Sequence, residues 1–481
     1  MTLAQAAPPS GPMQTIMSSE LAKKADPALA GLLSSSSPDV AARAALAFGR
    51  IGSPDSRPLL RPLLKAQDAR LRAMAIYALG LLTDSESAAA LGSLASDDPN
   101  SAVRYAAFDA LGRIVGADAT QGTPALAAVL IAGLGDKDLV VRGHAAANTD
   151  VFHTTASGPN VAQALGRAFL GEKDADVRWH EMWALFRGYA DIADRNVLLQ
   201  GLRDPNDVVR IEAVRAWGRR ADPDAATLLR PMQDDPSWRV QLQAREALHQ
   251  LAKEPATTDL VALPDGLHLP TPQPTTGPRE PALPHSRTEK PTAPGTADIA
   301  FFPLYAPSTA LGMNGPEPIS HPRVRIVTTK GDVILRLYPE WAPFTVANFL
   351  RLTNLGFFDG NRWFRIVPDF VVQTGSGVAQ TAESIAAGKA KNDGDADSGF
   401  TIRAELNPVE QRSGIISMGL NYEKDHALRD SAGSQFYITL SPQLHLDRDF
   451  TVFGEVTDGF DVLARLIESD RMIRVEELID G

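Results

Sequence analysis

The chain has 481 residues, 44% of them hydrophobic and 22% charged, a make-up ordinary for a soluble globular protein of roughly two to four domains. The formal net charge is −11 with no basic segment, which argues against nucleic acid as a partner. No run of about 18 apolar residues suggests a membrane span. The absence of cysteine excludes disulfides, thiolate metal centres and a cysteine nucleophile.

The first residues lack a basic or apolar leader, yet Ala4-Gln5-Ala6 before a Pro/Ser/Gly stretch looks like the end of a signal peptide. An extracytoplasmic and a cytoplasmic location both stay open. Residues 1–19 read as an N-terminal tail.

Over residues 20–252 a pattern recurs: Asp, often Pro, then Val-Arg, Ala three residues after the Arg, and often Leu-Gly at seven and eight. Its copies are Leu71-Arg72, Val103-Arg104, Val141-Arg142, Val177-Arg178 and Val209-Arg210, with weaker ones at Val40-Ala41 and Val240-Gln241. The second residues of these pairs are spaced by 31 to 38 positions, room for two helices and two turns. Val103, Ala106, Ala107, Ala110, Leu111 and Ile114 fall at helical spacing. Asp98-Pro99-Asn100 and Asp204-Pro205-Asn206 supply turns and N-caps. One such pair cannot bury its apolar face alone, so the copies are expected to stack into an all-α solenoid. The pattern resembles that of the HEAT-like repeats. The recurrent Arg can form a basic binding ridge or a structural ladder. The ladder is favoured because an Asp lies near every copy. Trp179, Trp183, Trp217 and Trp238 are read as core, with an exposed aromatic patch for a protein partner as the alternative.

Residues 253–321 read as a Pro-rich linker, with 15 prolines from Pro255 to Pro322. Near its end Ile299-Ala300-Phe301-Phe302-Pro303-Leu304-Tyr305 is apolar enough to dock on a domain.

From residue 322 to 481 the texture becomes that of short strands. Residues 323–328 alternate, Thr329-Lys330-Gly331-Asp332 turns, and 333–337 return. Pro343-Phe344-Thr345 opens a helix that ends at Gly356-Phe357-Phe358-Asp359-Gly360. Strands are expected at 363–366, 370–373, 414–418, 435–440 and 451–456. Many short strands with one or two helices suggest a closed, mainly-β barrel. The nine histidines show no pairing at metal-ligand spacing; no metal or cofactor is expected. Gly375-Ser376-Gly377 reads as a turn rather than a phosphate loop.

The segment from about Val324 to Val475 resembles the cyclophilins, a family of peptidyl-prolyl cis–trans isomerases. The resemblance rests on Gly-Phe-Phe-Asp-Gly with the block 363–373 (Trp-Phe-Arg-Ile-Val-Pro-Asp-Phe-Val-Val-Gln). Gly414-Ile415-Ile416-Ser417-Met418, Gly433-Ser434-Gln435-Phe436-Tyr437-Ile438 and Leu446-Asp447 with Thr451-Val452-Phe453-Gly454 follow in the same order. It implies isomerisation of X–Pro bonds in peptides and protein clients, with the repeats as a docking surface for a protein partner. It places Arg365 as the donor to the twisting amide and Gln373 as its orienting partner. Phe370, Val371, Tyr437 and Leu446 match positions lining the proline slot. Gln435 and the backbone at Gly419 and Leu420 match those binding the flanking peptide. His445 falls where many members carry Trp, and Phe450 where many carry His. Phe364 replaces the usual His, Val371 a common Met, and Tyr437 the typical Phe. The loop 419–432 is longer and more charged than in short members, and residues 375–397 diverge. The rival reading is a non-catalytic scaffold that only holds Pro peptides.

Overall fold

The computed structural model describes residues 11–252, 321–367, 369–376, 398–424, 426–447, 449–468 and 470–478. Ala4-Gln5-Ala6, the spacer with its apolar cluster at 299–305, and most of the divergent stretch after Gly375 lie outside them. The described residues fall into two compact units, one of 22–252 and one of 11–21 with 321–478.

In the first unit every copy of the pattern begins the second helix of a pair. These helices are Pro38–Ile51, Ala69–Leu81, Ser101–Ala117, Leu139–Ala147, Ala175–Tyr189, Asp207–Arg219 and Trp238–Ala252. Asn100, Asp138, Asp174 and Asn206 cap four of them by accepting N–H groups from the first turn, which satisfies donors the helix itself cannot. The Val is fully buried in five of the pairs, at Val103, Val141, Val177, Val209 and Val240. Burial of such a side chain stabilises by about 1.5–3 kcal/mol. The small residues set how closely the stack packs. A Cβ on Gly49 would stand 2.7 Å from Ala78 Cα in the next copy, and one on Gly80 would stand 3.0 Å from Ala110 Cα.

The recurrent arginines form a ladder. Arg72 pairs with Asp98, Arg104 with Asp136, Arg142 with Glu172, Arg178 with Asp204 and Arg210 with Asp235, each carboxylate coming from the following copy. The same guanidiniums donate to turn carbonyls of their own copy: Ala66 for Arg72, Asp98 for Arg104, Asp136 for Arg142, Lys173 for Arg178 and Asp204 for Arg210. The weak copy keeps half of this, with Gln241 Nε2 donating to the Asp235 carbonyl. Trp179, Trp183 and Trp217 are buried and Trp238 is half-buried, so they are core rather than an exposed patch.

The second unit is one eight-stranded antiparallel sheet. Its strands are β1 (Arg323–Thr328), β2 (Gly331–Leu337), β3 (Arg365–Val367), β4 (Val371–Thr374), β5 (Ile415–Met418), β8 (Phe436–Thr439), β9 (Val452–Asp458) and β10 (Met472–Leu478), with a separate hairpin β6 (Tyr422–Glu423) and β7 (His426–Ala427). The order across the sheet is β10-β1-β2-β9-β5-β8-β4-β3. Sequence periodicity leaves out the hairpin and β10, which pairs along all of β1. The end strands β3 and β10 share no ladder. A single bridge, Arg362 to Arg471, links their approaches, and the unit is a strand-rich curled sheet where a closed barrel was expected.

Inside the curl the helix Pro343–Asn354 packs Phe349 against Phe358, Phe436 and Phe453, with ring centroids 5.1 to 5.3 Å apart. The buried Glu405 carboxylate holds its first turn, accepting N–H from Phe344 and Thr345 and the Thr345 hydroxyl. The segment read as a tail is helical from Pro12 to Ala22. Its Met17 is buried against Phe344 and Ala347, with Met13 and Leu21 beside it.

Candidate active site

Strands β3, β4 and β8 carry most of the expected site. β3 pairs with β4 so that Arg365 stands opposite Gln373, and β4 pairs with β8 so that Gln373 stands opposite Tyr437. A tight turn joins β3 to β4. Asp369 takes a left-handed φ of 55° there, a conformation Asp tolerates better than most residues. Its carbonyl accepts from Ser441 Oγ and from Gln443 Nε2. Phe370 is fixed in turn, because its carbonyl accepts the Leu440 N–H at 2.8 Å.

Val371, Tyr437, Leu446 and Phe450 form an apolar cluster separate from the main core, with Phe370, Leu420 and Ala427 packed against it. Tyr437 and Phe450 meet edge-to-face at 5.6 Å. His445 stacks on Phe370 with centroids 5.9 Å apart and planes 14° from parallel. The Arg365 guanidinium lies 5.5 Å from the centre of the Phe370 ring, so it stands at the edge of this cluster.

A relay of amides runs beneath it. Arg365 Nη1 donates to Gln373 Oε1 at 3.4 Å, and Gln373 Nε2 donates to Gln435 Oε1 at 3.2 Å. Gly419 closes over that relay: a Cβ there would stand 3.2 Å from Gln373 Nε2. The Gly419 N–H donates to the Gln435 carbonyl at 2.8 Å, so this N–H is not open to a peptide. Among the described residues no carboxylate lies within ion-pair distance of Arg365. Surrounding protein pushes its guanidinium below the ordinary value, opposed by Tyr422, although an arginine stays charged at neutral pH.

The structure thus brings together Arg365, Gln373, Phe370, Val371, Gly419, Leu420, Gln435, Tyr437, His445, Leu446 and Phe450. Sequence reasoning missed two residues. Gln411, fully buried, accepts from the Tyr437 hydroxyl at 3.0 Å and from Ser417 Oγ at 3.1 Å, and its own N–H donates to Asp447. Burial pushes the Tyr437 phenol up, with the Gln411 hydrogen bond opposing. The signal was the Tyr in a Phe position, since a buried hydroxyl needs a partner. The second is Tyr422 in the lengthened loop. It pairs directly with Ala427, which puts both side chains on one face of the hairpin. Ala427 packs on the apolar cluster, and Tyr422, 59% exposed, occupies the same face.

Comparison with known proteins gives matches to both halves. The family described as cyclophilin type peptidyl-prolyl cis-trans isomerase/CLD matches residues 323–477, and HEAT repeats match 25–112, 68–150 and 195–265. The chain is 40% identical over 144 residues to peptidyl-prolyl cis-trans isomerase B of Bacillus subtilis, covering 29% of this chain and 87% of that protein. It is 34% identical over 156 residues to a peptidyl-prolyl cis-trans isomerase of Synechococcus elongatus, covering 32% and 94%. It is 36% identical over 149 residues to CYP18-2 of Arabidopsis thaliana, covering 31% and 81%.

Proposed function

This chain belongs to the cyclophilin-type peptidyl-prolyl cis–trans isomerases, and from that premise we propose a role for each part of its site. The reaction twists an X–Pro amide over a barrier of about 18–20 kcal/mol. No covalent bond breaks, so catalysis consists of binding the twisted amide more tightly than the planar one. The proline ring sits among Phe370, Val371, Tyr437, Leu446 and Phe450. Arg365 donates to the amide nitrogen as its lone pair localises, a bond that exists only in the twisted state. Gln373 and Gln435 hold the guanidinium in place while leaving its other N–H groups to the substrate.

The observation that carries this reading is the pairing of opposites at one place. A guanidinium with no carboxylate partner among the described residues stands at the edge of a closed apolar cluster. The closed barrel belongs to the same reading, supported by the Arg362–Arg471 bridge. So does the division into a repeat domain of 20–252 and an isomerase domain of 322–481, with the helix of the 1–19 tail serving the latter. The repeats act as a docking surface that brings proline-containing protein clients to the enzyme. A protease-coupled assay of the full chain on an Ala-Pro tetrapeptide tests the catalytic assignment. Acceleration of the slow phase is expected, and a rate equal to the uncatalysed one overturns it.

A further inference from the structure

Two departures from the repeat pattern coincide in the middle of the solenoid. Eight residues after the ladder position most copies place glycine: Gly49, Gly80, Gly112 and Gly218. Those glycines let neighbouring helices touch, as at Gly218, where a Cβ would stand 2.9 Å from Ala247 Cβ. In the helix Ala175–Tyr189 the same position holds Phe186, half-buried. One residue later an arginine recurs at Arg50, Arg113, Arg187 and Arg219, a second series distinct from the ladder.

Around Phe186 these arginines converge. Arg219 lies 4.2 Å and Arg215 5.8 Å from the ring centre, and Arg187 lies 6.0 Å from the Trp183 ring. Arg215 is held by Glu212, at 3.0 Å, and by Gln243. Among the described residues no carboxylate lies within ion-pair distance of Arg187 or Arg219, and the buried Arg187 Nε has no hydrogen-bond partner. Three guanidiniums gathered at one place repel one another. Burial and the charges of Arg187 and Arg215 together push Arg219 below its ordinary value. Asp150 and His249 also replace this glycine, but at Phe186 the change comes with guanidiniums that no carboxylate among the described residues pairs, the mark of a site that serves something other than stability.

We propose that the face built by Phe186, Arg187, Arg215 and Arg219 binds an acidic peptide segment of a protein partner. The inference rests on the reading of the repeats as a docking surface and gives that surface its chemistry. Guanidiniums steadied over an aromatic ring present planar N–H pairs, which suit a carboxylate bidentately. Nucleic acid fits less well, because it needs a long basic track and this face spans two copies in a chain of net charge −11.

The test is anisotropy of a fluorescein-labelled oligoglutamate peptide titrated with the full chain at low salt. A neutral Gly/Ser peptide and an oligothymidylate of equal charge serve as controls. Saturable binding is expected, weakened at least about tenfold by the R187Q/R219Q pair and strongly reduced by added salt. R219Q alone, at an exposed position, should weaken it about threefold without disturbing the fold. Turnover of the Ala-Pro tetrapeptide, read in the same solutions, should be unchanged in every variant. Three results overturn the proposal: oligoglutamate bound no better than Gly/Ser, equal binding by R187Q/R219Q, or tighter binding of oligothymidylate. Loss of turnover in the wild type would instead count against the catalytic assignment and leave this one standing.

Discussion

Arg104 and Arg365 are the same residue under opposite management. Arg104 is buried, pairs bidentately with Asp136 and donates to the Asp98 carbonyl. Arg365 is exposed and has one long bond to a neutral amide. The ladder exhausts its guanidiniums on fixed acceptors, and that makes them structural. The isomerase unit holds its guanidinium by a weak neutral partner, and that leaves donors for a substrate. What separates the ladder arginine from the one proposed to act on substrate is whether its acceptors are already supplied.

The largest expected effect breaks the structural side. Arg104→Ala strands the half-buried Asp136 charge, and loss of one partner of a buried pair costs on the order of 3 kcal/mol. A thermal melt should show the solenoid destabilised while tetrapeptide turnover persists. An unchanged melting temperature would mean the ladder is ornamental.

The next concerns a carboxylate placed wrongly for a ladder. Glu181 occupies the position where other copies carry Ala75, Ala107, Ala145, Ala213 and Ala244. It is fully buried, and neither oxygen has a hydrogen-bond partner. Burial, reinforced by the nearby Glu172 charge and opposed by Arg142 and Arg178, pushes it up to about 8. Its folded value exceeds the unfolded one of about 4.3, so its contribution is full below the latter and is lost as pH rises toward 8. Glu181→Gln should therefore stabilise by a few kcal/mol at pH 9 and far less at pH 5, read from melts at the two values. Asp136 and Glu172 run the other way. Burial raises both, but Arg104 and Arg142 outweigh it and hold them below the usual range. Their support is present at neutral pH and fades as pH falls through their lowered values.

On the catalytic side, Arg365→Ala should lower kcat/KM at least about tenfold, or about 1.4 kcal/mol of transition-state stabilisation. Its melting temperature should stay close to that of the wild type, since no carboxylate is left unpaired. Near-normal turnover would erase the distinction drawn above. The smallest effect sharpens the edge of the site. In cyclophilins a Trp at the position of His445 contributes to cyclosporin binding. The smaller His445, stacked on Phe370, offers less apolar area. A deficit of about 50 Å2 weakens binding by roughly 1.3 kcal/mol. His445→Trp should increase cyclosporin sensitivity nearly tenfold with little change in turnover, and equal inhibition constants would show that His445 does not border the ligand.

Much of this was legible in order along the chain. The Val-Arg spacing marked each second helix, and the Asp-Pro-Asn turns marked their caps, because periodicity and capping act within a turn or two of helix. Arg365, Gln373 and Tyr437 were legible as candidates from their motif blocks, and strand register sets them side by side. β10 was missed because Ile473 and Arg474 face outward together and blur its alternation. The hairpin was missed because two-residue strands carry no period. Gln411 was missed because its role arises from Tyr437, 26 residues away.

The sequence by itself determined the repeat, the helices it forms, the positions of the recurrent arginines and the order of the motif blocks, all consequences of short-range pattern. Which carboxylate each arginine meets, 25 to 32 residues on, was decided by the stacking of one copy on the next. The same stacking brought Arg215 and Arg219 over Phe186. Strand register set Arg365 beside Gln373 and away from any described carboxylate. These outcomes needed the tertiary structure because a charge is neutralised by what lies near it in space, and neither helical period nor strand alternation records distance across a fold.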